Sequence, residues 1–237
     1  MPSPLSIFEG LYQLFSLNFD GFVTTFNNIP IEFTWFVFLV IVFISILIFL
    51  KFFGEVGLYV YTSIAVIAAN IQVLKIVKFS FFAEPIALGT ILFASIFLCT
   101  DILAEYYGGN SARKNILISF LGFLLMTILM LFTIGFKPLD KITAGDNYAW
   151  ALPLQDNLLG VFLPFPIFFI ASMIAYLFSQ FFDIWFFEKI SEFTNRRFLW
   201  FRNNFSTIVS SLIDNTIFSV FAWIIFNPNP LDFNTVL

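Results

Sequence analysis

Carboxylates, amides and hydroxyls set inside long apolar stretches are the residues of this chain that could do chemistry. Asp101 and Glu105 stand four apart and Gln180 and Asp183 three apart, so each pair shares one face if its segment is helical. Asp214 lies midway along another apolar stretch with Ser210 and Ser211 about one turn earlier, and Asn70 lies deep in a fourth. An ionised carboxylate at the centre of a bilayer costs about 2.5–3.5 kcal/mol on insertion scales, so such a group faces a bundle interior, a partner or a water-filled cavity. Carboxylates so placed can accept a pair of donors from a polar solute or hold a cation. Asn70 and Gln180 each offer a donor and an acceptor.

Each of these residues also has a plainer role open to it. Asp101 and Glu105 could sit solvated at a helix end or pair with Arg113. Gln180, Asp183 and Asn70 could simply hydrogen-bond between helices. Asp214 is the hardest to explain by solvation. Lys75, Ser172, Arg202, Asn203 and Ser211 are secondary candidates. Lys75 could instead snorkel to the interface, Arg202 could read anionic lipid headgroups, and Asn204 is expected to cap the last helix.

Several chemistries are excluded or disfavoured. The chain has no histidine and one cysteine, Cys99. It therefore lacks the commonest general base and metal ligand, and it cannot form an internal disulfide. No P-loop, G-x-S-x-G, H-E-x-x-H or C-x-x-C pattern occurs. No catalytic residue, metal or cofactor is expected, and no basic patch suggests nucleic acid.

The elements that must hold these residues follow from composition. The chain is 60% hydrophobic and 11% charged over 237 residues, against about 25% charged in soluble domains. That is too little charge to cover a soluble particle of this size, and lipid must provide part of the solvent. A spanning helix needs about 20 mostly apolar residues. Six segments qualify, at 33–50, 57–77, 86–106, 115–135, 158–187 and 205–226. The fifth is long and should tilt, or start with a bent piece at Pro164 and Pro166. The expected fold is an all-α polytopic bundle of about six transmembrane helices. Residues 1–32 form an extracytoplasmic segment able to lie at the interface, 33–226 the bundle, and 227–237 a short tail. No Lys or Arg occurs in residues 1–32, so the basic start of a cleavable leader is missing. Lys51, Arg113, Lys114, Lys189, Arg196, Arg197 and Arg202 fall on one side of this arrangement, and Lys75, Lys78, Lys137 and Lys141 on the other. The first side is then cytoplasmic and the N-terminus outside.

Read together, the same residues resemble a known family. The stretches are Ala69-Asn70-Ile71 with Lys75; Gly89-Thr90-Ile91-Leu92-Phe93 leading to Thr100-Asp101-Ile102-Leu103-Ala104-Glu105-Tyr106-Tyr107-Gly108; Ala112-Arg113-Lys114; Ala171-Ser172 leading to Ser179-Gln180-Phe181-Phe182-Asp183; and Arg202-Asn203-Asn204 leading to Ser206-Thr207 and Leu212-Ile213-Asp214. In this order, over about residues 69–226, they resemble the queuosine precursor transporters, also described as vitamin uptake transporters. The resemblance implies a multi-pass bacterial inner-membrane protein that imports 7-deazaguanines such as preQ0 and preQ1, and in some members queuine. It implies a small-molecule deazapurine and the lipid bilayer as partners, with a coupling ion as a further expectation. Oligomeric state is left open. Ile167 stands where many relatives carry Arg, and Ser211 where they often carry Gln. The resemblance also leads one to expect another helix beyond Leu237, so the chain is expected to be truncated or a shortened member. Three rival readings remain at this point: a membrane substrate-binding subunit that needs a separate ATPase, a membrane enzyme using carboxylates, and a structural or assembly protein whose carboxylates only glue helices.

Overall fold

The computed structural model describes residues 4–162, 165–226 and 230. Two short helices, α1 (Pro4–Phe15) and α2 (Phe19–Asn27), precede the long helix α3 (Ile31–Gln72). A two-stranded hairpin follows, β1 (Ile76–Val77) with β2 (Ile86–Ala87). Then come α4 (Thr90–Tyr106), α5 (Gly109–Gly135), the short α6 (Lys141–Ala144), α7 (Leu152–Phe162), α8 (Phe165–Phe193) and α9 (Leu199–Ser219). A wider π-type turn, Val220–Ile225, continues α9.

The first two apolar segments are the two arms of α3. A straight helix of its 42 residues would reach about 63 Å at 1.5 Å per residue, twice the ~30 Å of a bilayer core. The chain instead kinks at Gly54, with φ 58° and ψ −134°, a conformation that a side chain makes costly. The arms then pack on one another. Phe49 meets Tyr61 with ring centroids 6.2 Å apart. A Cβ on Gly57 would stand 2.2 Å from the Phe49 carbonyl oxygen, so only glycine permits that approach.

Four helices among the described residues are long and apolar enough to cross a membrane: Ile31–Gln72, Gly109–Gly135, Ile170–Phe193 and Leu199–Ala222. α4, with 17 residues, lies among them. Large apolar side chains point outward along these helices, including Leu47, Leu121, Phe132, Ile208 and Leu212. The interior is bound by both apolar packing and polar cross-links. Leu58, Ile96, Leu103, Ile116, Phe123 and Ile184 are buried. Tyr61 donates to Ser95 Oγ at 2.8 Å, and Asn115 Nδ2 to Thr62 Oγ1 at 3.3 Å. Bonds of this kind hold helices together where lipid offers no hydrophobic contrast.

Several expected boundaries move. The ends of the second and third segments, expected to be helical to 77 and from 86, form the hairpin instead, with Ile76 opposite Ala87 and Val77 opposite Ile86. Lys75 O accepts from Leu88 N at 2.9 Å, and the Glu32 carboxylate accepts from Ser80 N at 2.8 Å, tying the hairpin loop to the start of α3. α5 begins at Gly109 rather than 115, and α8 runs on to Phe193. α9 begins at Leu199, so Asn204 is not a cap; it lies within the helix and donates to the Trp200 carbonyl at 2.7 Å. Residue 164, the side chain of Ile167 and nearly all of the tail after 226 lie outside the described residues.

Candidate functional site

The polar residues fall into three layers along the bundle. The first is a cavity of about 660 Å³ between the second arm of α3, the hairpin, α4, α8 and α9. Asn70, Ser172, Ser211 and Asp214 line it, with Thr90, Thr207 and Asn215. Phe93, Phe97, Tyr176 and Phe218 supply aromatic surface. The volume falls within the ~300–1,000 Å³ range of small-molecule sites. Asp214 Oδ1 accepts from Ser179 Oγ at 2.7 Å. Asn70 donates to its own helix at the Val66 carbonyl (2.8 Å) and accepts from Ser172 Oγ (2.8 Å). That leaves the Asn70 amide one N–H and one oxygen lone pair for a guest.

Beneath the cavity lies a buried layer that joins α4, α8 and α9. Thr100 donates to Gln180 Oε1 at 3.0 Å, Ser210 to Asp183 Oδ1 at 2.7 Å, and Thr207 to Asp101 Oδ2 at 3.3 Å. Asp101 and Asp183 face one another in direct side-chain contact. Gln180 and Asp183 are 1% and 0% exposed, so a solute resting in the cavity does not touch them. Asp183 Oδ2 is buried without a hydrogen-bond donor. Thr207 belongs to both layers, because it lines the cavity and donates to Asp101.

The third layer closes the far end. Arg202, 1% exposed, grips Glu105 with two bonds, Nη1 to Oε2 at 2.9 Å and Nη2 to Oε1 at 3.1 Å. Nη1 also donates to Ser191 Oγ at 2.7 Å, and the guanidinium lies over the Phe187 ring, 5.1 Å from its centroid. Nearby, Arg113 pairs with Glu188 at 2.6 Å rather than with Asp101 or Glu105. Glu105 and Arg202 are therefore engaged with each other and stand apart from the cavity. Asn203 is half-buried outside the cavity lining. Lys75 is exposed and lines a smaller aromatic hollow of about 380 Å³ on the other side of the hairpin.

Two kinds of residue escaped the sequence reading. Thr207 was legible in principle: Thr207, Ser210, Ser211 and Asp214 fall at i, i+3, i+4 and i+7, a polar stripe down one face of α9. Phe93, Phe97 and Phe218 carried no such signal, since nothing separates three cavity phenylalanines from the other 35 of the chain's 38.

A bundle of apolar helices that buries carboxylates on three of them around a solute-sized cavity defines a multi-pass membrane protein built to handle a polar small molecule. The chain belongs to the vitamin uptake transporter family: the family model described as "Putative vitamin uptake transporter" matches residues 87–237. It is 36% identical over 191 residues, 80% of this chain and 78% of the relative, to the "Probable queuosine precursor transporter" of Bacillus subtilis (strain 168). No solved structure matches it.

Proposed function

We propose that the chain imports queuosine precursors, 7-deazaguanines of the preQ0 and preQ1 type, across a bacterial plasma membrane, and that the ligand sits in the cavity floored by Asp214. The observation that carries this reading is one cavity holding a carboxylate, an amide with free valences and four aromatic rings. A guanine-like edge presents N1–H and a 2-amino group side by side, and a carboxylate accepts both at once, as it does from arginine. Asp214 can do this, since Ser179 takes one lone pair of Oδ1 and leaves acceptor sites on both oxygens. Asn70, held by Ser172, keeps one N–H to donate to the ring carbonyl. Phe93 or Tyr176 can stack on the heterocycle, for about 1–3 kcal/mol per base. The name of the Bacillus relative supports the same ligand class.

In this reading six helices cross the membrane: both arms of α3, then α4, α5, α8 and α9. The Arg113 and Arg202 end faces the cytoplasm, and the cavity opens toward the hairpin on the outside. Asp101, Gln180 and Asp183 act from beneath the ligand rather than by touching it. Equilibrium binding of labelled preQ0, preQ1, queuine and guanine to purified protein tests the assignment. Saturable deazaguanine binding that Asp214→Asn weakens supports it. Binding of none of the four by monodisperse protein would overturn it.

A further inference from the structure

The cavity leaves unexplained the two carboxylates buried below it. Asp101 and Asp183 come from different helices and are 4% and 0% exposed. Their convergence is fixed from two directions: Thr207 and Ser210, three apart on α9, hold one carboxylate each, and Thr100 beside Asp101 bonds Gln180 one turn from Asp183. Neither carboxylate pairs with Lys or Arg among the described residues. The other acidic groups nearby are accounted for. Glu105 on α4 is neutralised by Arg202, and Asp214 belongs to the cavity wall. Asp183 Oδ2, on a side chain with no exposure, accepts no hydrogen bond. Two facing carboxylates in a buried layer repel unless positive charge lies between them.

We propose that Asp101 and Asp183 form a binding site for one monovalent cation, a sodium ion or a proton, linked to the substrate cavity through Thr207. A divalent cation finds too few acidic ligands here, since no group of three or more Asp, Glu, His or Cys side chains that could hold a metal occurs among the described residues. Ser210 bonds Asp183 Oδ1 and Thr207 bonds Asp101 Oδ2, which holds the two carboxylates in place and leaves lone pairs on both of them for a cation. The donors present are hard oxygens, which suit sodium as they suit a proton. Thr207 supplies the link, since a ligand that moves its side chain in the cavity also alters the bond to Asp101. Loading the cation then favours the ligand-bound arrangement, and the ligand favours the cation by the same factor. The linkage rests on the import reading; the cation site itself does not.

Two readouts on purified protein test this. The first uses no substrate: the midpoint of thermal unfolding, with sodium exchanged for potassium or choline at constant ionic strength, and then as a function of pH without sodium. A sodium-specific rise identifies sodium, and a pH response alone identifies the proton. Asp101→Asn and Asp183→Asn, which keep the side-chain shape, are expected to lose that response while Asp214→Asn keeps it. A response in both Asn variants equal to wild type, or none in wild type, overturns the site. The second readout is labelled preQ1 accumulation in proteoliposomes under an inward gradient of the same cation. Under a tenfold cation gradient, one-to-one coupling allows wild type to accumulate about tenfold above its no-gradient level, since each tenfold ratio is worth about 1.4 kcal/mol. Thr207→Val should lose the stimulation, read as the ratio of accumulation with and without the gradient in the same variant. Thr207→Val that accumulates like wild type overturns the link. An intact cation response with no preQ1 exchange in wild type would uphold the site and reject the import reading.

Discussion

The two ends of the bundle hold their charges in opposite ways. At the Arg202 end the buried charge is answered within the chain: a guanidinium with 1% exposure takes both oxygens of Glu105, a serine hydroxyl and an aromatic face. At the Asp214 end the carboxylate has one serine, and the neighbouring amide keeps free valences toward a space of about 660 Å³. A satisfied end is rigid and closed, whereas an unsatisfied end is ready for a guest that supplies the missing partners. Sequence alone presents both ends as acidic residues in greasy helices. Their difference lies entirely in which partner each one meets.

That contrast predicts which readout each substitution moves. The largest effect is expected at the closed end. Arg202→Ala leaves Glu105 without its counter-charge inside the bundle, and breaking such a pair costs about 3–5 kcal/mol. Thermal unfolding in detergent should show it, and Arg202→Met with Glu105→Leu should recover most of the loss. At the open end Asp214→Asn should scarcely change the unfolding midpoint but weaken deazaguanine affinity about ten- to a hundred-fold, the worth of a hydrogen bond to a charged group. If Asp214→Asn instead unfolds the protein with affinity unchanged, the contrast is inverted. Phe93→Ala should cost affinity of about 1–2 kcal/mol through lost stacking, and Phe132→Ala, outside on α5, none.

How much of this was visible beforehand differs between fold and site. Apolar length exposed the bundle, because a bilayer demands it of any spanning helix. The hairpin stayed hidden: Ile76-Val77 and Ile86-Ala87 are too short to show a period of two, and their pairing is decided by contacts such as Glu32 with Ser80, 48 residues apart. Gly54 read as part of a loop, yet helix continues on both sides of it, and one left-handed residue makes the turn. For the site, the cost of burying charge singled out Asp101, Asp183 and Asp214. It could not show that Glu105 finds Arg202 97 residues later, while Asp214 meets a hydroxyl and open space. Pairing across helices is a tertiary fact, and residue type carries no trace of it.

Two smaller effects sharpen the picture. Gly54→Ala should lower stability by about 1–2 kcal/mol through backbone strain, measurable as an earlier unfolding midpoint with ligand affinity intact. Arg113→Ala removes an ion pair whose side chains are 41% and 37% exposed, so its cost should stay below about 1 kcal/mol. A loss at Arg113 as large as that at Arg202 would mean the closed end depends on its rim rather than on its buried pair.

The central claim is that the open cavity takes deazaguanines into the cell, and tRNA queuosine content tests it most directly. The host is a bacterium unable to make preQ0 and lacking its own importer, expressing this chain at verified membrane levels and fed nanomolar preQ0, preQ1 or queuine. The account predicts that at least one of these restores queuosine with the wild-type chain, and that Asp214→Asn at equal membrane level needs far more of it. Restoration by Asp214→Asn at the wild-type dose, or by neither chain with any of the three, would contradict it.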